Sequence, residues 1–101
     1  MWRLMSLEPS DLKTKKWRAN FYDKENDKRK TVNFGARGYR DYTTIDDRAE
    51  AEKARKSYVA RHSKDNLSDP LSPGALSMYI LWGDHSNVSS NLSDYRRRFK
   101  I

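Results

Sequence analysis

Two short runs in the first third of the chain alternate apolar and polar residues with the period of a strand. "KKWRANFYD", residues 15–23, sets Trp17, Ala19 and Phe21 on one side and Lys16, Arg18, Asn20 and Tyr22 on the other. "KTVNF", residues 30–34, repeats the pattern with Val32 and Phe34 inward. A period of two marks a half-buried strand, because successive side chains point to opposite faces. The stretch "KENDKR" between them is polar and turn-prone, so the runs are expected to pair as an antiparallel hairpin with a long loop. Two strands alone are marginal in water, which requires this hairpin to lie on something else.

The middle and end of the chain read as helix. Thr44-x-x-Asp47 resembles a capping box, and Asp46 and Asp47 suit the positive end of a helix. "RAEAEKARKSYVARHSK" is rich in helix formers with an apolar line through Ala51, Ala54, Tyr58 and His62, which predicts a helix over 45–63. After the breaker-rich "NLSDPLSPG", Ser72 is placed to cap a second helix with Pro73 at its first position. "ALSMYILW", residues 75–82, is apolar on most faces and nominates Leu76, Tyr79, Ile80 and Trp82 for the core, with Gly83 expected to end the helix in the left-handed conformation. Ser89 or Ser90 caps a last helix whose Leu92, Tyr95 and Phe99 share one face, leaving Arg96, Arg97 and Arg98 largely on the other. The expected class is α+β: an N-terminal antiparallel β-hairpin packed on three α-helices.

A chain of 101 residues is one small domain with a modest core. It has no Cys, so neither disulfides nor a thiolate zinc site can reinforce that core. The charged share, 35%, is high, but 12% aromatics is more than disordered chains carry. No apolar run approaches the ~18 residues a membrane span needs. The opening segment carries Trp2, Leu4, Met5 and Leu7, too short a patch for a signal-peptide core. Residues 1–12 therefore read as an arm that docks on a partner, and residues 13–101 as the single domain.

Net charge is +7, a balance that favours a polyanionic neighbour: nucleic acid, an acidic protein surface or anionic lipid. Residues 1–42 hold eleven Lys and Arg against six Asp and Glu, so the excess sits in the N-terminal half and in the "RRRFK" tail. The residues expected to meet such a partner are Lys15, Lys16, Arg18, Arg37, Arg40, Arg96, Arg97 and Arg98. Cations at a helix C-terminus offset its dipole, yet three consecutive arginines exceed that need. Trp17, Phe21 and Tyr22 among basic residues suggest a base-stacking face, although alternation puts Trp17 and Phe21 in the core.

The stretch "FGARGYRDYT", residues 34–43, joins strand to helix. Gly35 and Gly38 have the spacing of loops that clamp a nucleic-acid backbone, but those loops join two helices and this one leaves a strand. The structural reading is stronger. The glycines supply positive φ, Tyr39 and Tyr42 anchor the corner, and Asp41 bonds loop amides as an Asx turn does.

Taken in order, "FGARGYRDYT", "ARH", "DPLSPGALSMYILW" and "SDYRRRF" resemble a small family of uncharacterised proteins encoded by nucleocytoplasmic large DNA viruses. The matching positions begin with Lys30, Thr31, Phe34, Gly35, Ala36, Gly38, Tyr39, Asp41, Tyr42 and Thr43. They continue through Arg61, His62, Asp69, Pro70, the Gly74–Ser77 and Ile80–Trp82 blocks, Asp94, Tyr95, Arg98 and Phe99. The resemblance covers roughly residues 15–101, and the segment 83–91 looks looser than the family's. It implies a viral origin, synthesis in a host cytoplasm and a place in the virion. It brings no catalytic residues.

Catalysis needs a nucleophile with its base, paired carboxylates or a metal set. His62 and His85 stand apart on a helix and a loop, and Asp84-His85 is half a metal site at best. No enzyme activity, cofactor or metal is expected. Two functions remain: a minor capsid or cement protein contacting other capsid proteins, and a basic protein bound to viral nucleic acid.

Overall fold

The computed structural model describes the whole chain, residues 1–101. Three strands, β1 (Trp2–Pro9), β2 (Lys15–Asp23) and β3 (Lys28–Ala36), form an antiparallel sheet in the order β1-β2-β3. Three helices complete the chain, α1 (Arg48–His62), α2 (Pro73–Leu76) and α3 (Val88–Phe99), so the class is α+β.

In the β2–β3 ladder Trp17 stands opposite Phe34 and Ala19 opposite Val32, which assembles the face that the alternation predicts. Ala19, Phe21, Val32 and Phe34 are all buried. Each large apolar side chain so removed from water contributes about 1.5–3 kcal/mol. β3 is longer than its apolar run because Lys28 and Arg29 pair with Asp23 and Tyr22, and Asp27 turns the chain at φ 48°.

The sheet has a third strand where an arm was expected. Residues 2–9 pair with β2 along their length, Leu4 opposite Phe21 and Leu7 opposite Ala19. Leu4 enters the core, Trp2 and Leu7 pack against it, and only Met5 is left pointing out, 60% exposed. The register shifts between Leu4 and Ser6, so Met5 is the surplus residue of a β-bulge. The hairpin edge holds unpaired backbone groups that the N-terminal segment satisfies. For that reason residues 1–12 belong to the domain, and no boundary falls at residue 12.

Fourteen buried side chains from all three strands, the corner and all three helices form one core. Of the four nominated residues, Leu76, Ile80 and Trp82 are buried and Tyr79 is half-buried. On the last helix Tyr95 is fully buried, with Leu92 and Phe99 packed beside it.

The helix ends differ from expectation in three places. Asp47, not Thr44, caps α1, its carboxylate accepting from the Glu50 N–H at 3.0 Å. Thr44 is drawn into the turn before the helix, where its hydroxyl accepts from the Asp41 N–H at 2.9 Å. Asn87 caps α3, ahead of Ser89 and Ser90, by accepting from the Ser90 N–H at 2.8 Å. Ser72 caps α2 as predicted, with Pro73 at its first position. α2 then runs into a π-helical turn, Ser77–Leu81, in which the Trp82 N–H donates to the Ser77 carbonyl at 3.1 Å. Gly83 does not take the left-handed conformation expected of it. It is a glycine because a β-carbon there would collide with the Tyr79 carbonyl oxygen and, next, with the Asn91 side chain.

Candidate functional site

The corner after β3 is built by its glycines and by Asp41. Gly35 and Gly38 have φ of 80° and 93°, a region where a side chain costs about 1–2 kcal/mol. Gly35 is also a close approach, since a β-carbon there would come within 2.8 Å of a Leu81 methyl. Asp41 is 2% exposed. Its carboxylate accepts from the Thr43 N–H at 2.8 Å and from the Thr43 hydroxyl, the turn predicted for it. The Lys16 ammonium completes the set, donating to Asp41 Oδ2 at 2.6 Å. Lys16 thus pins β2 to the corner.

Beside this corner lies an open cleft of about 440 Å³. The corner and the start of β2 supply Lys15, Lys16, Tyr39 and Arg40 to its lining. The end of α1 supplies Tyr58, Arg61 and His62, and Leu81 and Trp82 contribute from the π turn and its end. The Tyr58 ring is sandwiched, its centroid 4.2 Å from His62 and 4.5 Å from Trp82, nearly parallel to the latter at 9°. Burial pushes the Tyr58 hydroxyl above its ordinary value. His62 Nδ1 lies 2.8 Å from Asp65 Oδ2, and Arg40 pairs with Glu50 at 2.6 Å on the surface. Among the cleft's four Lys and Arg side chains, Lys15 and Arg61 have no ion-pair partner. The chemistry available is recognition: positive charge for an anion and flat rings for stacking.

A family model described as a family of unknown function (DUF5754) matches residues 5–62, more than half of the chain. The chain belongs to DUF5754. The DUF5754 match runs from within β1 to the last residue of α1, and so takes in the cleft residues from Lys15 to His62 but not Asp65, Pro73, Gly74, Ser77, Leu81 or Trp82. No curated protein and no solved structure matches the chain.

In this DUF5754 chain the eight cations singled out from the sequence do not form one surface. Lys15, Lys16 and Arg40 line the cleft, while Arg37, next to it, turns away. Arg37 donates to the Lys15 carbonyl at 3.0 Å and to the Ser10 carbonyl at 2.9 Å, tying the β1–β2 turn to the corner. Arg18 is bound to Glu8 and faces Asp11 at 3.6 Å. The three tail arginines part company. Arg96 donates to the Leu4 carbonyl at 3.2 Å, Arg97 pairs with Asp94, and Arg98 lies 4.1 Å from the centre of the Tyr79 ring. Arg98 lines a separate hollow of about 270 Å³ with Arg55, Val59 and Tyr79.

Arg61 and the Tyr58–Trp82 stack are the functional candidates that sequence reasoning missed. The available signal was spacing: Tyr58, Arg61 and His62 recur at i, i+3 and i+4, which sets them side by side on a helix. No group of three His, Asp or Glu side chains is arranged to hold a metal ion, and no helix is long and apolar enough to cross a membrane.

Proposed function

We propose that the chain is a non-enzymatic structural component of a large DNA virus particle, a minor capsid or cement protein that bridges larger capsid subunits. The observation that carries this reading is the use made of the arginines. Arg37 holds the corner to the β1–β2 turn. Arg55 holds α1 to the Trp82 carbonyl at 3.0 Å and to Asp84 at 2.7 Å. Arg96 holds α3 to β1. Each joins segments far apart in sequence and stiffens a body with a small core. A spacer between subunits needs that rigidity, whereas a nucleic-acid binder needs the same groups turned outward.

The resemblance to proteins of large DNA viruses supplies the setting, the virion. The lysines of the β2–β3 turn and of α1, exposed and in no ion pair, supply positive charge for acidic capsid subunits. Bridging through an apolar arm is no part of this reading, because Trp2, Leu4 and Leu7 are committed to the sheet and core.

The second reading, a basic protein associated with viral DNA, draws on the +7 charge and on the unpartnered Lys15 and Arg61. Opening particles and separating shell from genome distinguishes the two. The structural role expects the chain to stay with the shell protein after the genome is released. Recovery with the DNA, released steeply as salt rises, overturns it.

A further inference from the structure

The cleft between the corner and α1 has a use that a bridging role leaves unexplained. Its volume of about 440 Å³ falls within the range of about 300–1,000 Å³ usual for small-molecule sites. Lys15 and Arg61 bring positive charge to it from different elements, and neither is neutralised by a carboxylate of this chain. The two carboxylates in the lining are already engaged, Asp41 by Lys16 and Thr43, and Asp65 by His62. With four Lys and Arg against these two acids, the lining stays net positive toward an incoming anion.

The remaining surface is aromatic. His62, Tyr58 and Trp82 form a continuous stack along one side. Tyr39, 74% exposed, stands next to Gly38, where an added β-carbon would touch nothing. A large ring so exposed has no packing role in the fold, so of the two tyrosines expected to anchor the corner only the buried Tyr42 does.

Cations alone would suit any anion, and rings alone any flat apolar molecule. Their combination suits a ligand that carries both a flat ring and a multiply charged group. We propose that this cleft binds a 5′-phosphorylated nucleoside, free or at the end of a strand, with Arg61 and Lys15 facing the phosphate and the rings facing the base. This goes beyond the particle role and stands or falls separately from it.

The test is titration of the intact protein with adenosine 5′-monophosphate, monitored through the amide resonances of Gly35 and Gly38 and the Trp82 indole. Saturable binding with a Kd at or below about 1 mM is expected, with adenosine and inorganic phosphate each at least about tenfold weaker. Arg61→Ala and Lys15→Ala, both on groups without internal ion pairs, should each weaken binding by about tenfold. Tyr39→Ala should weaken it as well. Lys53→Ala/Lys56→Ala removes two charges from α1 outside the cleft and should leave binding unchanged. A 5′-phosphorylated trinucleotide binding more tightly than the monophosphate identifies a strand end, and the reverse identifies a free nucleotide; a 5′-hydroxyl trinucleotide should fail in both cases. The proposal is overturned by absence of saturation, by adenosine binding as well as its monophosphate, or by the Lys53/Lys56 variant losing as much affinity as Arg61→Ala.

Discussion

Gly83 lies so close under Asn91 that a β-carbon on Gly83 would stand 2.7 Å from the Asn91 side-chain oxygen. That oxygen accepts from the His85 N–H at 2.9 Å, while the Asn91 amide donates to the Ile80 carbonyl at 2.8 Å and the His85 carbonyl at 2.9 Å. One fully buried amide thus closes the loop between the π turn and α3, and the glycine makes room for it.

Gly83→Ala should destabilise the fold by about 1–3 kcal/mol, the usual range for forcing atoms into a packed interior. Gly38→Ala, where the added carbon meets nothing, should cost only the backbone strain, about 1 kcal/mol. Asn91→Ala leaves two carbonyls and an N–H without their partner and should cost about 2–3 kcal/mol. Urea unfolding midpoints of the three variants give the ranking.

Lys16→Met should be more damaging than its partly exposed position suggests. It strands the Asp41 carboxylate, which is 2% exposed, at a cost of about 3 kcal/mol. Lys16→Met/Asp41→Asn removes the buried charge together with its partner and should recover part of the loss. A double-mutant cycle by chemical denaturation measures this coupling, and additivity of the two changes would refute it.

Arg37→Ala should cost about 1 kcal/mol although the residue sits at the surface, because it removes two hydrogen bonds to backbone carbonyls. Arg37→Lys has no planar fork with which to reach both carbonyls and should recover little. Thermal melts of the pair decide it.

Stability should fall at both ends of the pH scale. Asp23 is held below its ordinary value of 3.8 by bonds from Asn26 and from the N-terminal ammonium, and Glu8 below 4.5 by Arg18 and Asn20. Depressed carboxylates stabilise the fold above those ordinary values, and the contribution disappears as pH falls through the folded-state ones. Asp23→Asn should flatten this acid limb. Tyr42 is raised above 10.0 by its bond to Glu52, and Tyr58 and Tyr95 by burial. Their neutral forms belong to the fold, so that contribution is complete below pH 10 and is lost as pH rises beyond it. Tyr95→Phe should shorten the alkaline limb while lowering stability at neutral pH, because the Pro70 carbonyl loses its donor. Denaturation midpoints measured from about pH 3 to about pH 11 test both limbs.

The strands β2 and β3 were legible because alternation there is unbroken and both runs end at polar turns. β1 was not, and Met5 is the reason. Trp2 and Leu4 face the core from even positions and Leu7 from an odd one, and the bulge between them cancels the period that would have marked a strand. The caps of α1 and α3 were misplaced by a few residues because several Ser, Thr, Asp and Asn side chains compete there. Asp41 won Thr44, a tertiary outcome that spacing does not encode. The corner's glycines and its Asx turn were readable in "FGARGYRDYT". The cleft was only half readable, since Tyr58, Arg61 and His62 come to line one hollow with Lys15 and Tyr39 only through the fold.

The surplus residue in β1 also decides how this molecule can be joined to others. A kinked border with Met5 pushed outward and the Leu4 carbonyl occupied by Arg96 is a poor template for another chain's backbone, and Lys28, Arg29 and Lys30 guard the opposite border with charge. Backbone pairing between copies is therefore discouraged at both edges of the sheet, which protects the chain from zipping into fibres when it is concentrated.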